Sequence, residues 1–314
     1  MVPACLTRRL DSEDMAGQFK GSESVGYERR GALALLTLDR PGKLNAINSA
    51  MIAQLGLALD VAEADVAVRV IVLSGAGRAF SAGFDLDMEV SDADASPKDA
   101  VRRALHTDFE LIMRFWDSPK VTLAAVHGYC LGSAMELALA FDLTLAAEEC
   151  RFGAPEVRFG SGIVALLLPW LAGPKVAKYL LLSGDDQVTA AQALEAGLVN
   201  RVVPAAQLLE ATLTLAQRIA SNDLLAVTLT KQAINRSLDI AGMRQALLQA
   251  LELNVTIETS ESAESREFNA ILKRDGAQAA IAWRSARAAD PALNAVAAAP
   301  PAVPAAPDGA PAQS

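Results

Sequence analysis

The chain has 314 residues, of which 52% are hydrophobic and 21% are charged, a composition typical of a folded globular protein. Its 37 acidic and 28 basic residues give a formal net charge of −9, which argues against nucleic acid or an anionic membrane surface as a partner. Three scattered cysteines and two histidines have neither disulfide-framework nor zinc-ligand spacing, and we find neither a membrane-length apolar run nor a signal sequence, so we expect a cytoplasmic protein without a bound metal.

The two ends of the chain differ in composition from the part between them. Residues 1–22 are polar and show no period, and we interpret them as a flexible leader. In residues 291–314, alanine and proline occupy 16 of the 24 positions. Because proline at this density disrupts both helices and strand ladders, we expect a disordered tail there.

The first half of the remaining chain alternates between strand and helix patterns. Apolar residues recur every three or four positions after Asn48 or Ser49, which indicates a helix, whereas continuous apolar runs indicate buried strands. The predicted elements, in chain order, are a strand at 32–39, the helix from about 48, a strand at 68–74, a helix at 101–116, a strand at 121–126, a helix at 131–140 and a strand at 142–146. Such alternation favours an α/β fold.

Beyond about residue 160 the pattern becomes almost entirely helical. Thr189 and Gln192 have the spacing of a capping box at the start of one of these helices. We therefore divide the folded part into a core at 23–204, which would hold the functional site, and a helical C-terminal region at 205–290.

Two glycine-containing turns, at 74–86 and 127–136, follow buried strands. Small residues let a ligand approach the backbone N–H groups, and the second turn opens a helix whose N-terminus favours negative charge. The first turn is not a dinucleotide-binding loop, because Phe80 stands where the third glycine is needed. It is not a nucleophile elbow either, because Ala79 replaces the first glycine of G-x-S-x-G. Local composition alone is equally compatible with a second interpretation, in which both turns are only tight connections without a binding role.

Two glutamates near the second turn are candidate acid–base groups. Glu136 lies early in an otherwise apolar helix, where a buried charge is costly unless it has a partner or a task. Glu156 comes 20 residues later, after the next strand, so the chain can return to the same pocket. Taken singly, Glu136 is also compatible with a carboxylate that favours the helix N-terminus, and Glu156 with a solvated turn residue.

Five short segments support a resemblance to a known family. They are 40–46 (RPGKLNA), 75–86 (GAGRAFSAGFDL), 124–140 (AAVHGYCLGSAMELALA), 152–156 (FGAPE) and 181–199, which begins LLSG and ends AGLV. In this order they resemble the crotonase superfamily, the enoyl-CoA hydratase/isomerase proteins, over about residues 25–240. The resemblance implies an α/β fold with a spiral core of ββα units, followed by a C-terminal helical trimerisation region, and hence a homotrimer or homohexamer.

The resemblance also implies a site for an acyl-CoA thioester. The family holds the thioester carbonyl between two backbone amides, and the matching positions here are Phe84 and Ser133. Positions that match the family's coenzyme A and substrate contacts are Lys43, Leu44, Ala46, Ala82, Asp85, Leu86 and Gly132. Asp85 is expected mainly to brace its turn.

Both glutamates together are typical of the hydratases of this family. The resemblance therefore implies an enoyl-CoA hydratase-like lyase, in which Glu136 holds and deprotonates a water that attacks C3 and Glu156 delivers a proton to C2. No separate cofactor is expected, because coenzyme A is part of the substrate. The alternatives are another crotonase-type reaction (double-bond isomerase, dehydratase or C–C hydrolase) and a non-catalytic CoA-binding paralogue.

One segment departs from the family pattern. Residues 160–170 (GSGIVALLLPW) are shorter than the family's G-I-x-P-G-A-G-G-T segment and its following L-P-R, lack its glycine run, and end in Trp170 where arginine is usual. Because this segment borders the acyl pocket, the acyl group accepted and the position of Glu156 stay open. The role of His127 also stays open, between a structural hydrogen bond and a place in the pocket.

Overall fold

Nine strands and twelve helices form the described part of the chain, which comprises residues 24–86, 95–260 and 262–288 of a computed structural model. The strands are β1 Val25–Arg30, β2 Leu33–Leu38, β3 Val70–Gly75, β4 Val121–Val126, β5 Tyr129–Leu131, β6 Leu143–Ala147, β7 Arg151–Gly153, β8 Val188–Thr189 and β9 Arg201–Val203. The helices are α1 Ser49–Ala64, α2 Pro97–Asp117, α3 Ser133–Ala140, α4 Glu156–Phe159, α5 Leu168–Leu171, α6 Pro174–Ser183, α7 Ala190–Glu195, α8 Leu208–Ala220, α9 Leu224–Ile240, α10 Met243–Glu258, α11 Ala263–Asp275 and α12 Ala277–Ala288. The predicted leader at 1–22 and tail at 291–314 lie outside the described residues.

The main sheet has six strands in the order β1-β2-β3-β4-β6-β9. Only the β1–β2 pair is antiparallel, and β2, β3, β4, β6 and β9 run parallel to one another. Since parallel strands need crossover connections, α1, α2 and α3 each return the chain to the same end of the sheet. The carboxyl ends of the strands, and the turns that follow them, therefore meet along one edge.

Both faces of this sheet are buried, which explains the continuous apolar runs of its strands. Leu36 and Leu38 of β2 face the main core, which includes Leu55 of α1. The alternate residues of β2 face the opposite side, where Ala216 and Ala220 of α8 cover them. The described elements thus form the expected α/β fold, with C-terminal helices after the core.

A smaller sheet in the order β5-β7-β8 lies beyond the carboxyl end of β4. Its strand β5 is parallel to β7, and β7 is antiparallel to β8. This sheet places the turn before α3 beside the turn before α4, since β5 leads into α3 and β7 leads towards α4. Glu136 lies in the first turn of α3 and Glu156 is the first residue of α4, so both glutamates directly follow these adjacent turns.

The local signals in the sequence agree with several element boundaries. Strand β4 has the predicted bounds, and Asn48 caps α1 by accepting a hydrogen bond from the Met51 N–H at 3.0 Å. Both bonds of the predicted capping box are present at Thr189 and Gln192. The expectation of an almost entirely helical second half needs correction, because β8 is a strand and β9 extends the main sheet.

The described residues fall into two compact units, divided between Ser262 and Ala263. The first unit contains both sheets and α1 to α10, and the second contains α11 and α12. The sequence predicts a different boundary, between residues 204 and 205. That boundary separates a core with the functional site from a helical region with the oligomer contacts, and it stays a prediction. No helix among the described residues is long and apolar enough to cross a membrane.

Candidate active site

The two glycine-containing turns lie side by side. Ser81 and Cys130 form a parallel bridge, in which the Ser81 N–H donates to the Tyr129 carbonyl at 3.0 Å and the Leu131 N–H donates to the Ser81 carbonyl at 3.2 Å. The backbone at Gly83 then passes so close to the start of α3 that a Cβ there would lie 3.2 Å from the Ser133 nitrogen. Residues 83–84 of the first turn therefore adjoin the amides at the N-terminus of α3.

The amides of Phe84 and Ser133 are available as donors at this junction. Phe84 is bridged to Ile47, whose N–H and carbonyl pair with Gly83 and Asp85, so the N–H of Phe84 points away from that bridge. Ser133 is the first residue of α3, where a helical N–H has no partner within the helix. In the described part of the chain, neither amide donates to a backbone carbonyl. Two such donors can bind an oxygen on which negative charge develops.

Buried Asn45 fixes the first turn. Its side-chain amide donates to the Ala76 and Ala79 carbonyls at 2.9 and 2.8 Å, and its φ of +53° places it in the left-handed region. The Ser81 hydroxyl donates to the Asn45 carbonyl at 2.8 Å and accepts from the Gly83 N–H at 3.1 Å. These contacts hold residues 81–83 against the 43–46 segment.

The residues matched to coenzyme A contacts lie on these two adjoining segments. The Ala82 N–H donates to the Leu44 carbonyl at 3.0 Å, while Lys43 and Leu86 are exposed. Asp85 accepts from Arg40 at 3.0 Å, so this ion pair braces the turn. The segments therefore form one continuous surface next to the two amides.

Glu136 is a buried side chain of α3, and it is only 3% exposed. Its Oε2 accepts from the Ala165 N–H at 2.6 Å, and its Oε1 accepts from the Val164 N–H at 3.3 Å. Burial and the nearby charge of Glu156 raise the pKa of Glu136 well above its ordinary value, while the two amides oppose that shift. The amides also fix the orientation of the carboxyl group.

Glu156 is the first residue of α4 and reaches back to the turn before α3. Its Oε1 lies only 2.6 Å from where a Cβ at Gly132 would stand, so a glycine at 132 makes room for this carboxyl. Its Oε2 is buried and has no hydrogen-bond partner in the described part of the chain. Burial raises the pKa of Glu156 to about 7, and the charge of Glu258 adds to the shift. Glu156 therefore lies beside the turn that carries the Ser133 amide, and its charge acts on Glu136, which lies on the same helix as Ser133.

The comparisons with known proteins agree with this geometry. The family model described as enoyl-CoA hydratase/isomerase matches residues 28–271. The chain belongs to this family. A crystal structure of an enoyl-CoA hydratase/isomerase from Xanthobacter autotrophicus Py2 is similar with a TM-score of 0.81 and 46% identity, over 84% of this chain and 98% of that one. The resemblance to the crotonase superfamily is thus confirmed.

Two named hydratases are also similar to this member of the family. The 2,3-dehydroadipyl-CoA hydratase of Escherichia coli is 36% identical over 74% of this chain and 89% of its own length. The short-chain-enoyl-CoA hydratase of Clostridium acetobutylicum is 34% identical over 68% of this chain and 82% of its own length. Membership supports a crotonase-type reaction on an acyl-CoA, and the family includes both hydratases and isomerases.

Sequence reasoning missed a third acid near the pair. Asp108 of α2 is 6% exposed and makes no ion pair among the described residues. Burial raises its pKa to about 7, and its charge contributes to the raised pKa of Glu136. One signal in the sequence could have revealed Asp108. It is a single aspartate on the apolar face of α2, between Leu105 and Ile112.

Other polar candidates have structural partners. His127 Nε2 lies 3.0 Å from the Gly77 carbonyl oxygen, which favours the structural hydrogen bond over a role in the pocket. Cys130 and Cys150 are buried, and burial raises the pKa of each thiol, so neither is poised as a nucleophile. Among the described residues, no cluster of three or more His, Cys, Asp or Glu could hold a metal ion.

A cavity of about 700 Å³ lies away from the two glutamates, and it is lined by α3, α9 and the first residues of β4 and β6. Lys231 at its wall is paired with Asp142 at 2.8 Å and donates to the Lys120 carbonyl at 2.9 Å. Because Lys231 and Asp142 in this cavity already pair with each other, Glu156 at Gly132 and its neighbour Glu136 mark the better candidate for the reaction site.

Proposed function

We propose that this protein is a hydro-lyase that reversibly adds water across the 2,3 double bond of an α,β-unsaturated acyl-CoA. The observation that carries the proposal is the packing of Glu156 against Gly132, beside the free amides of Phe84 and Ser133, together with its electrostatic interaction with Glu136 of α3. The amides would bind the thioester oxygen and stabilise the enolate that forms when water attacks C3. Removing one donor of this kind typically costs ~3 kcal/mol of transition-state stabilisation.

The hydrogen bonds divide the roles of the two acids. Both oxygens of Glu136 accept amide N–H groups, which fix the carboxyl group in place and oppose the rise in its pKa that burial and the charge of Glu156 cause. We assign Glu136 the role of the base that holds and deprotonates water. Glu156 has a buried oxygen without a donor and a pKa of about 7, which suits an acid that delivers a proton to C2. In dehydration the two roles reverse. The reaction needs no cofactor, since both proton transfers use carboxyl groups.

The test is the ultraviolet absorbance of a panel of 2-enoyl-CoAs with short, branched, cyclic and aryl acyl groups. Wild type should bleach the conjugated thioester and add one oxygen from water, measured by mass spectrometry. Glu136→Gln and Glu156→Gln should each lose about 10²- to 10⁴-fold in kcat. Glu252→Gln is the matched control, because Glu252 is an exposed glutamate paired with Arg102 on the surface.

The other outcomes separate the alternatives. A shifted double bond without added oxygen would indicate an isomerase, and coenzyme A binding without turnover would indicate a non-catalytic paralogue. Either result would refute the hydratase proposal. A homotrimer or homohexamer and a cytoplasmic location stay predictions, the first to be tested by light scattering.

A further inference from the structure

The last turn of α10 contacts the segment that departs from the family pattern. Residues 161–165 follow α4 without regular secondary structure, so their conformation depends on the contacts they make. The Ser161 N–H donates to the Glu156 carbonyl at 3.0 Å, and the amides of Val164 and Ala165 hold Glu136. This short segment therefore connects both proposed acids.

Glu258 ends α10 and binds the beginning of this segment. Its Oε1 accepts a short hydrogen bond from the Ser161 hydroxyl and a second one from the Gly162 N–H at 3.2 Å. A carboxylate in the last turn of a helix is disfavoured by the helix dipole. The two donors from 161–162 compensate for that unfavourable position, and they fix the segment even though Glu258 itself is exposed.

Asn254, one turn earlier on α10, packs against the same segment. It is 1% exposed, and its side-chain amide packs so closely on Gly162 that a Cβ at 162 would collide with it. Gly162 is thus held between the packed side chain of Asn254 and the hydrogen bond to Glu258. The amides of Val164 and Ala165 follow two and three residues later.

On this geometry we propose that Glu258 and Asn254 are positioning residues for the reaction, a role that rests on the proposed function. They hold 161–162, so that the amides of Val164 and Ala165 keep the Glu136 carboxylate aligned with the water it activates. In this way Glu258 of α10, which is 96 residues from Gly162 in sequence, becomes part of the active site.

The test compares Glu258→Ala and Asn254→Ala with Glu258→Gln and with the control Glu252→Gln. The alanine variants should lower kcat about tenfold or more with KM within about threefold, because small misplacements of catalytic groups reduce the chemical step. Glu258→Gln keeps an oxygen acceptor for Ser161 and Gly162, so its kcat should stay within about threefold of wild type. Glu252 lies on the same helix but faces Arg102, and its variant should match wild type.

Hydrogen exchange supplies a readout that does not depend on activity. The amides in a peptide covering 161–167 should exchange faster in Glu258→Ala than in wild type, and at the wild-type rate in Glu252→Gln. Thermal unfolding checks that each variant is folded. If Glu258→Ala fails to fold, Ser161→Ala, which removes one of the two donors, replaces it in both assays.

The results distinguish this inference from the proposed function. If wild type hydrates an enoyl-CoA and the alanine variants equal Glu252→Gln in kcat and exchange, the positioning role is wrong. If wild type hydrates no member of the panel, the hydratase proposal fails. In that case hydrogen exchange still tests the contact between α10 and the segment, and unchanged exchange in Glu258→Ala would overturn it. Loss of kcat together with faster exchange supports both.

Discussion

The substitution Gly132→Ala should lower the catalytic rate much more than its effect on folding stability would explain. Its φ of +58° with ψ of −134° is a conformation that L-residues rarely adopt, and Gly132→Ala should cost about 1 to 3 kcal/mol of folding free energy. The added Cβ would lie 2.6 Å from Glu156 Oε1, where an ordinary contact begins at 3.4 Å. The carboxyl group must therefore move by most of an ångström. Moving a side-chain end costs little stability, but misplacing the proton donor by this distance should lower kcat about 100-fold.

Gly173→Ala is the matched control for backbone strain. Gly173 has φ +84° and ψ 159°, and a Cβ there would meet nothing within 4 Å. Both variants should lower the melting temperature, by about 2 to 4 °C per kcal/mol for a protein of this size. Only Gly132→Ala should lose bleaching of the enoyl-CoA. Equal activity in the two variants would refute the placement of Glu156 against Gly132.

Further predictions concern buried charged and polar side chains. The kcat/KM for hydration should fall about tenfold per pH unit above about 7, because only the protonated form of Glu156 donates; a flat profile to pH 9 would contradict this. The pKa of Asp108 is raised from 3.8 to about 7 in the folded state, so folding stability falls between these pH values. Asp108→Asn should be more stable than wild type at pH 8, by up to roughly 4 kcal/mol in urea titrations. Lys231→Met should cost about 3 to 5 kcal/mol by leaving the Asp142 carboxylate without its cationic partner, and adding Asp142→Asn, which keeps an oxygen acceptor for the Thr122 N–H, should restore most of it. Asn254→Leu should gain about 1 to 3 kcal/mol of folding free energy in urea titrations, since neither polar atom of that buried amide has a partner in the described residues; a loss of stability would reveal one.

The elements that sequence predicted well are those with local causes. Strand β4 is buried on both faces, and the cap at Asn48 needs only residues three positions apart. Strand β1 was missed because its second half is exposed and charged, and β8 and β9 because two or three residues carry no period. Their pairing depends on distant strands, which a local pattern does not encode.

The candidate site divides in the same way. Glu136 and Glu156 stand next to glycine and proline signals that are visible in the sequence, so motif reasoning reached them. Asp108 gave only a weak signal, and Glu258 gave none, because it acquires a role only when α10 folds back onto residues 161–162. The shortened segment left the position of Glu156 open, and only the tertiary contacts place this side chain against Gly132.

The electrostatics of the site also connect fold stability with the proposed chemistry. Asp108, Glu136 and Glu156 have no cationic partner among the described residues, and each has a raised pKa because of burial. Three ionised carboxylates in such a place would be costly, so burial favours the protonated form of these carboxyl groups. The amides of Val164 and Ala165 oppose the rise in the pKa of Glu136, which burial and the charges of Glu156 and Asp108 nevertheless raise well above its ordinary value. The same burial that destabilises the charged site would thus keep Glu156 protonated and ready to deliver a proton to C2.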